Sequence, residues 1–161
     1  CVCSYYRVPP RAETCWDVDN LLAYNRIREF NVQEHDAAHD AAAPVAAAER
    51  RVHVKALLFA LQFNRWFTAF ELAHTRVSDE VWSYFATMVA NNTTLERLAV
   101  RHVAGVGKSA LRELFSALKD NRTARYAHLE LRGFAFDSKA VAALASLLAT
   151  TKLPLRVLDV R

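Results

Sequence analysis

The chain alternates short segments, in which apolar residues follow the spacing L-x-x-L-x-L, with longer stretches of helical periodicity. Five such segments occur, and their first apolar residues are 40, 28, 31 and 29 residues apart. Because their last apolar residues alternate with other residues, we predict strands whose fourth and sixth positions face a core. The segments are Ile27-Phe30-Val32, Phe67-Phe70-Leu72, Leu95-Leu98-Val100, Tyr126-Leu129-Leu131 and Leu155-Leu158-Val160.

Four stretches between these segments carry their apolar residues on one helical face. Ser78 and Asp137 stand just before their stripes, where an N-cap belongs. Asn64, Asn91 or Asn92, and Asn121 stand where three of the helices should end. The chain is therefore predicted to repeat a strand-loop-helix-loop unit about four times. The stripes are Val54, Leu57, Leu58 and Leu61; Val77, Val81, Phe85 and Met88; Leu111, Leu114, Phe115 and Leu118; and Val141, Leu144, Ala145 and Leu148.

The near-constant spacing predicts an α/β fold built from stacked repeats. One unit cannot bury both its strand face and its helix stripe, so neighbouring units must cover them. The spacing and pattern are typical of long leucine-rich repeats, whose period is roughly 20 to 29 residues. We predict a leucine-rich-repeat solenoid of the ribonuclease-inhibitor-like type over residues 26–161, with parallel strands on the concave face and helices on the convex face. A doubly wound sheet is the alternative.

Two segments depart from the repeat. Residues 1–25 are predicted to form an amino-terminal cap or junction segment. Residues 36–50 are rich in alanine, contain no large aliphatic or aromatic residue that could dock, and lengthen the first interval. They are interpreted as an insertion that forms a mobile loop or a loosely packed helical turn. The chain is expected to be truncated at its fifth strand.

Strand alternation places positions three, five and seven of each strand on the concave surface. These positions carry an acidic and a basic ladder, which we interpret in two ways. In the first, the ladders neutralise each other and keep the surface soluble. In the second, the strip docks a charged or polar segment of a protein partner, with arginine as the anchor. The candidate partner-binding residues are Glu71, Arg97, Arg101, His128, Glu130, Arg132, Asp159 and Arg161.

Composition and charge narrow the function classes. Hydrophobic residues make up 53% of the chain and the net charge is +4, which is typical of a folded, soluble protein. No apolar run approaches the roughly 20 residues that span a bilayer, so membrane contact is expected only through regions outside this chain. The positive surplus is mild and spread along the sequence, which disfavours nucleic acid as a partner. Three cysteines without a secretory signal indicate reduced thiols, and the sequons in Asn91-Asn92-Thr93-Thr94 and Asn121-Arg122-Thr123 are interpreted as chance.

Three motifs resemble parts of a nucleotide-binding or metal-binding site, but each lacks a residue that such a site requires. Gly105–Ser109 ends like a phosphate-binding P-loop, but His102 replaces the glycine with which that motif begins. His35 and His39 share a helical face with no third strong ligand, and Cys1, Cys3 and Cys15 lack a fourth. We therefore expect no enzyme activity, no cofactor and no metal site, with nucleotide binding at Gly105–Ser109 as the least favoured alternative.

Four segments carry more specific motifs, which are Cys1-Val2-Cys3, Cys15-Trp16-Asp17-Val18-Asp19, Arg26-Ile27-Arg28-Glu29-Phe30-Asn31-Val32-Gln33 and Ala60-Leu61-Gln62-Phe63-Asn64-Arg65-Trp66-Phe67-Thr68. These segments resemble the CARMIL family, the leucine-rich regulators of actin capping protein. The resemblance covers most of residues 1 to about 100 and then fades into the general repeat pattern. It implies a cytoplasmic, cytoskeleton-associated scaffold that supports actin assembly through protein partners. In that family the motif that binds capping protein lies beyond the repeats, so it is not expected within this chain. A general repeat adaptor without a cytoskeletal role is the alternative.

Overall fold

The computed structural model describes residues 29–31, 44–150 and 153–161. Strands and helices alternate along these residues. The strands are β1 (Glu29–Asn31), β2 (Ala69–Ala73), β3 (Arg97–Arg101), β4 (His128–Arg132) and β5 (Val157–Val160). The helices are α1 (Pro44–Leu61), α2 (Asp79–Asn91), α3 (Ala110–Asp120) and α4 (Ser138–Thr150).

All five described strands lie in one parallel sheet, and their order in the sheet is their order along the chain. The predicted inward positions are in register, since Phe70 pairs with Leu98, Leu98 with Leu129, and Leu129 with Leu158. A doubly wound sheet reverses its strand order at a switch point. No reversal occurs among the described strands, so the predicted segments are confirmed as consecutive parallel strands and the doubly wound alternative is wrong.

Each helix packs against the next along the chain, and the core lies between this helical layer and the sheet. Trp82 of α2 is 1% exposed, and its indole Nε1 donates to the carbonyl oxygen of Ala110 at 3.0 Å. This bond joins the first turn of one helix to the start of the next. The predicted N-caps are also in place: the backbone N–H of Val81 donates to Ser78 Oγ, and that of Ala140 donates to Asp137 Oδ1.

Buried asparagines connect successive units where the helices end. Asn92 Nδ2 donates to the carbonyl oxygen of Leu61 at 2.7 Å, and Asn121 Nδ2 donates to that of Val89 at 2.8 Å. Both residues are C-caps, as predicted, whereas Asn64 lies three residues beyond the end of α1. A glycan on either Asn92 or Asn121 would destroy these buried bonds, which supports the interpretation of those two sequons as chance, whereas the acceptor Asn91 is exposed.

The first helix begins earlier than the predicted stripe at Val54. Residues 44–50, which belong to the proposed insertion, form its first turns. Proline is favoured at the first helical position and alanine has the highest helix propensity, so this composition promotes a helix rather than a loop. The rest of the insertion, the cap segment and the candidate metal ligands lie outside the described residues.

The last helix is rotated relative to its predicted stripe. Ala140 and Leu147 are buried, whereas Val141 is 52% exposed and Leu148 is 47% exposed. The predicted stripes of α2 and α3 are buried along their whole length. Within the described part of the chain, no helix combines the length and the hydropathy that crossing a bilayer requires.

Candidate interaction surface

The strands bring the eight candidate residues together on one face of the sheet. Strand pairing places Arg97 beside His128 and Arg101 beside Arg132. Glu130 pairs with Asp159 on the next strand. The parallel register therefore converts a sequence spacing of about 30 residues into side-by-side rows separated by about 4.8 Å.

Six of the eight residues form a continuous chain of ion pairs, which we call the ionic row. Arg101 is at its centre, because its Nε and Nη2 bind the two carboxylate oxygens of Glu130, each at 2.7 Å. The Nη1 of Arg101 binds Glu71 Oε1 at 2.8 Å, so one guanidinium connects β2 to β4. Ala99 lies between these two acids in the register and is fully buried. The members of the row are Glu71, Arg101, Glu130, Arg132, Asp159 and Arg161.

The row continues across the last two strands. Arg132 binds Glu130 Oε1 through Nε at 2.7 Å and Asp159 Oδ2 through Nη2 at 2.6 Å. Arg161 binds Asp159 Oδ1 at 3.1 Å and is the most exposed member, with a side chain 74% accessible. Each of the three acids therefore meets at least one arginine, and the row carries no net charge.

The arginines also fix the protonation of the acids. The hydrogen bond and charge of Arg101 lower the pKa of Glu130 although burial opposes the shift, and Arg132 lowers the pKa of Asp159 in the same way. Because its pKa is lowered, the carboxylate of Glu130 is ionised at neutral pH. Because the residue is only 3% exposed, this charge is also enclosed. A partner cannot reach Glu130 without displacing Arg101.

The geometry therefore matches the first interpretation of the strip for its central part. The accessible candidates lie at its margins: Arg161 is exposed, and the adjacent pair Arg97 and His128 is partly exposed at the third strand position. These three residues, which we call the marginal residues, are where a partner could bind while the ion pairs of Arg101 and Arg132 stay intact.

The glycine-rich segment that resembles a P-loop is engaged by a carboxylate. The backbone N–H of Gly107 donates to Asp79 Oδ1 at 2.6 Å. A phosphate held there would have to displace Asp79 and would be repelled by its charge. Gly105 has φ +84°, and a Cβ at this position would lie 2.5 Å from the carbonyl oxygen of Val77. Packing between units thus explains this glycine without a ligand.

Two histidines that the sequence analysis did not select are stacked where β2 and β3 end. The rings of His74 and His102 have centroids 5.0 Å apart, and both residues have φ +49°. Gly133 occupies the equivalent position after β4, where a Cβ would lie 2.7 Å from His102 Nδ1. Comparing the residue that follows strand position seven in each repeat would have found this position in the sequence. No group of three or more residues suited to a metal ion occurs in the part of the chain that the structure describes.

Comparison with known proteins confirms the resemblance to CARMIL. The chain is 26% identical over 150 residues to Protein CARMIL of Dictyostelium discoideum, covering 93% of this chain and 13% of that protein. It is 28% identical over 151 residues to the mouse capping protein, Arp2/3 and myosin-I linker protein 2, covering 92% of this chain and 11% of that protein. The chain thus spans only a small part of the length of these relatives.

A relative with a different name matches to a similar extent. The Rho GTPase-activating protein gacW of Dictyostelium discoideum is 24% identical over 149 residues, covering 92% of this chain and 12% of that protein. No family model matches the chain. Among solved structures, leiomodin-1 actin-binding site 2 is similar with a TM-score of 0.47 and 20% identity, covering 88% of this chain and 90% of that one.

Proposed function

We propose that this chain is a leucine-rich-repeat segment of a non-catalytic, cytoplasmic protein-interaction scaffold that regulates the actin cytoskeleton. The observation that carries the proposal is sequence similarity to CARMIL proteins along 92–93% of the chain. One of these relatives is named as a linker of capping protein, Arp2/3 and myosin-I. We extend that class of partner to this chain.

The exposure of equivalent residues supports the repeat interpretation. Leu111 and Leu118 of α3 are 4% and 0% exposed, and Ala140 and Leu147, 29 residues later in α4, are each 1% exposed. Burial that recurs at the spacing of the repeat is what stacked units produce. The strand order from β1 to β5 supports the same interpretation.

The ionic row gives such a scaffold a rigid, neutral base on its strand face. Arginine is a frequent anchor of protein interfaces because its planar group binds carboxylates through two hydrogen bonds. We propose that the marginal residues Arg97, His128 and Arg161 contact the partner while the row holds the strands that carry them.

A second candidate function is a general repeat adaptor without a cytoskeletal role. The similarity to a protein named as a Rho GTPase-activating protein favours it, because a related segment occurs there beside a different named activity. The two candidates differ in the partners that they predict.

Direct binding to purified proteins tests the proposal. The full chain is immobilised and exposed to actin, capping protein, Arp2/3 complex and myosin-I in biolayer interferometry. We expect a dissociation constant of about 1–100 μM for at least one of them, equivalent to about 5–8 kcal/mol. A variant in which the marginal residues are replaced by alanine should bind that partner at least about 10-fold more weakly.

The matched control replaces three exposed cations on the helix side, Lys108, Arg112 and Lys139, with alanine. This helix-side variant should retain the affinity of the unmodified chain. If none of the four proteins binds, the cytoskeletal proposal is wrong and the general adaptor is favoured. If one binds but both variants lose affinity equally, the assignment of the marginal residues is wrong.

A further inference from the structure

Three arginines that precede the strands β4 and β5 differ from the arginines of the ionic row. Arg122 and Arg125 precede β4, and Arg156 precedes β5. All three are exposed, and none makes an ion pair or a side-chain hydrogen bond with any residue that the structure describes. We call them the edge arginines.

The backbone holds the edge arginines close together. The N–H of Arg156 donates to the carbonyl oxygen of Ala127 at 2.8 Å, which places Arg156 beside the strand entry two residues after Arg125. The turn that carries Arg122 is fixed by the buried Asn121, whose Oδ1 accepts from the N–H of Thr123 at 3.2 Å. Because adjacent strands lie about 4.8 Å apart, these long side chains can reach one extended ligand.

The acids near this edge do not neutralise it. Glu96 and Asp120 are both exposed, and neither forms an ion pair with an edge arginine in the described ranges. The positive surplus of the chain, which looks dispersed along the sequence, is therefore partly collected at one edge of the sheet. A concentration of unpaired charge attracts a partner of the opposite sign and accelerates its binding.

We infer that the edge arginines bind an acidic segment of a protein partner. A guanidinium group forms paired, charge-assisted hydrogen bonds with a carboxylate, and three such groups along two strand entries fit an extended acidic peptide. Single-stranded nucleic acid usually also stacks its bases on exposed aromatic rings. The aromatic residue in this segment, Tyr126, is 1% exposed, and its hydroxyl donates to the carbonyl oxygen of Val89.

This surface adjoins the marginal residues, because His128 pairs with Val157, the residue after Arg156. The inference rests on the proposed role as an interaction scaffold and adds the chemistry of its partner. It does not depend on that partner being an actin regulator.

The test measures the full chain against a fluorescein-labelled peptide of eight glutamates, with an eight-glutamine peptide as reference. Fluorescence anisotropy in about 50 mM salt should show at least about 10-fold tighter binding of the glutamate peptide, and 150 mM salt should weaken it by screening. Replacing the edge arginines with alanine should reduce affinity for the glutamate peptide at least about 10-fold. The helix-side variant removes the same charge and should stay within about two-fold of the unmodified chain.

Circular dichroism and thermal unfolding establish that each variant is folded. Equal losses in the edge and helix-side variants overturn the inference, because binding then follows net charge alone. The inference is also overturned if single-stranded DNA or phosphatidylserine vesicles bind more tightly than the glutamate peptide and lose that binding when the edge arginines are replaced, because the partner class is then different. Edge-dependent peptide binding without binding to purified actin regulators would leave this inference standing and remove only the cytoskeletal role.

Discussion

Glu130 shows how a single buried acid organises the strand face. Its carboxylate is 3% exposed, and removing an ion from water is costly unless charged partners compensate. Arg101 binds both of its oxygens and Arg132 binds one of them again. Glu130 is therefore held by two cations from β3 and β4, and the pair of strands is fixed by the same contacts.

Removing Arg101 should be far more damaging than removing an exposed member of the row. Arg101→Met leaves Glu130 with one arginine and Glu71 without this partner, so we expect a loss of about 2–4 kcal/mol in the free energy of unfolding. Arg161→Met, at the exposed end of the row, should cost less than about 1 kcal/mol. Urea denaturation of both variants measures the difference, and equal losses would show that burial of Glu130 is not what makes Arg101 important.

The same acid predicts how stability depends on pH. The pKa of Glu130 is lowered in the folded chain from its usual 4.5, chiefly by the hydrogen bond from Arg101. Below about pH 4.5 the unfolded chain binds more protons than the folded one, so this contribution to stability falls as pH decreases through the folded pKa. It is fully present at neutral pH.

Urea unfolding of the unmodified chain and of Glu130→Gln between pH 7 and pH 3 checks this. The variant should be less stable at pH 7, and the difference between the two should shrink as the pH falls below 4.5. A difference that stays constant over this range would show that ionised Glu130 does not contribute through its lowered pKa.

At the scale of helices, the face on which a leucine lies decides how much it contributes to stability. Leu118 in α3 is fully buried between neighbouring units, whereas Leu148 in α4 is 47% exposed. Truncating a buried leucine removes apolar burial and leaves a cavity, while truncating an exposed one removes much less. The same substitution at the two sites therefore measures how much burial in the core contributes to the stability of a helix.

We expect Leu118→Ala to lower the free energy of unfolding by about 2–5 kcal/mol. Leu148→Ala should lower it by less than about 1 kcal/mol, since the residue has little packing to lose. Thermal or urea unfolding of the two variants measures the difference. Similar costs at the two sites would contradict the rotated placement of α4, in which Leu147 and not Leu148 is buried.

These examples also show what the sequence could predict. β2 to β4 and the stripes of α2 and α3 were predictable because each has a described neighbour on both sides, so periodicity and burial agree. Periodicity could not reveal that Ala140 and Leu147 are buried and that Val141 and Leu148 are exposed, because residues 140–149 are all alanine, valine or leucine except Ser146. The acidic and basic ladders were visible in the sequence at strand positions five and seven. Whether their charges repel, pair or bind a partner depends on side-chain rotamers, which the sequence does not give. The contact of Arg101 with acids on two strands is likewise visible only in the tertiary structure.

At the scale of the whole molecule, we propose a one-dimensional stack, because the most extensive contacts between described elements join successive units. In such a stack the local stability depends on how many neighbours cover a unit. β3 is paired on both sides, whereas β5 has one described neighbour, and three of its four residues are exposed. Opening should therefore begin at the β5 end and move inward.

Hydrogen exchange measured by mass spectrometry tests this gradient. Backbone amides of β3 and α3 should exchange slowest and those of α4 and β5 fastest, because end units open at a lower free energy than global unfolding requires. Leu114→Ala, in the fully buried centre of α3, should accelerate exchange in the units on both sides of it. Leu148→Ala should accelerate exchange mainly in α4 and β5. Uniform protection along the chain, or a central substitution whose effect stayed within α3, would mean that the molecule unfolds as one cooperative body rather than as a stack of units.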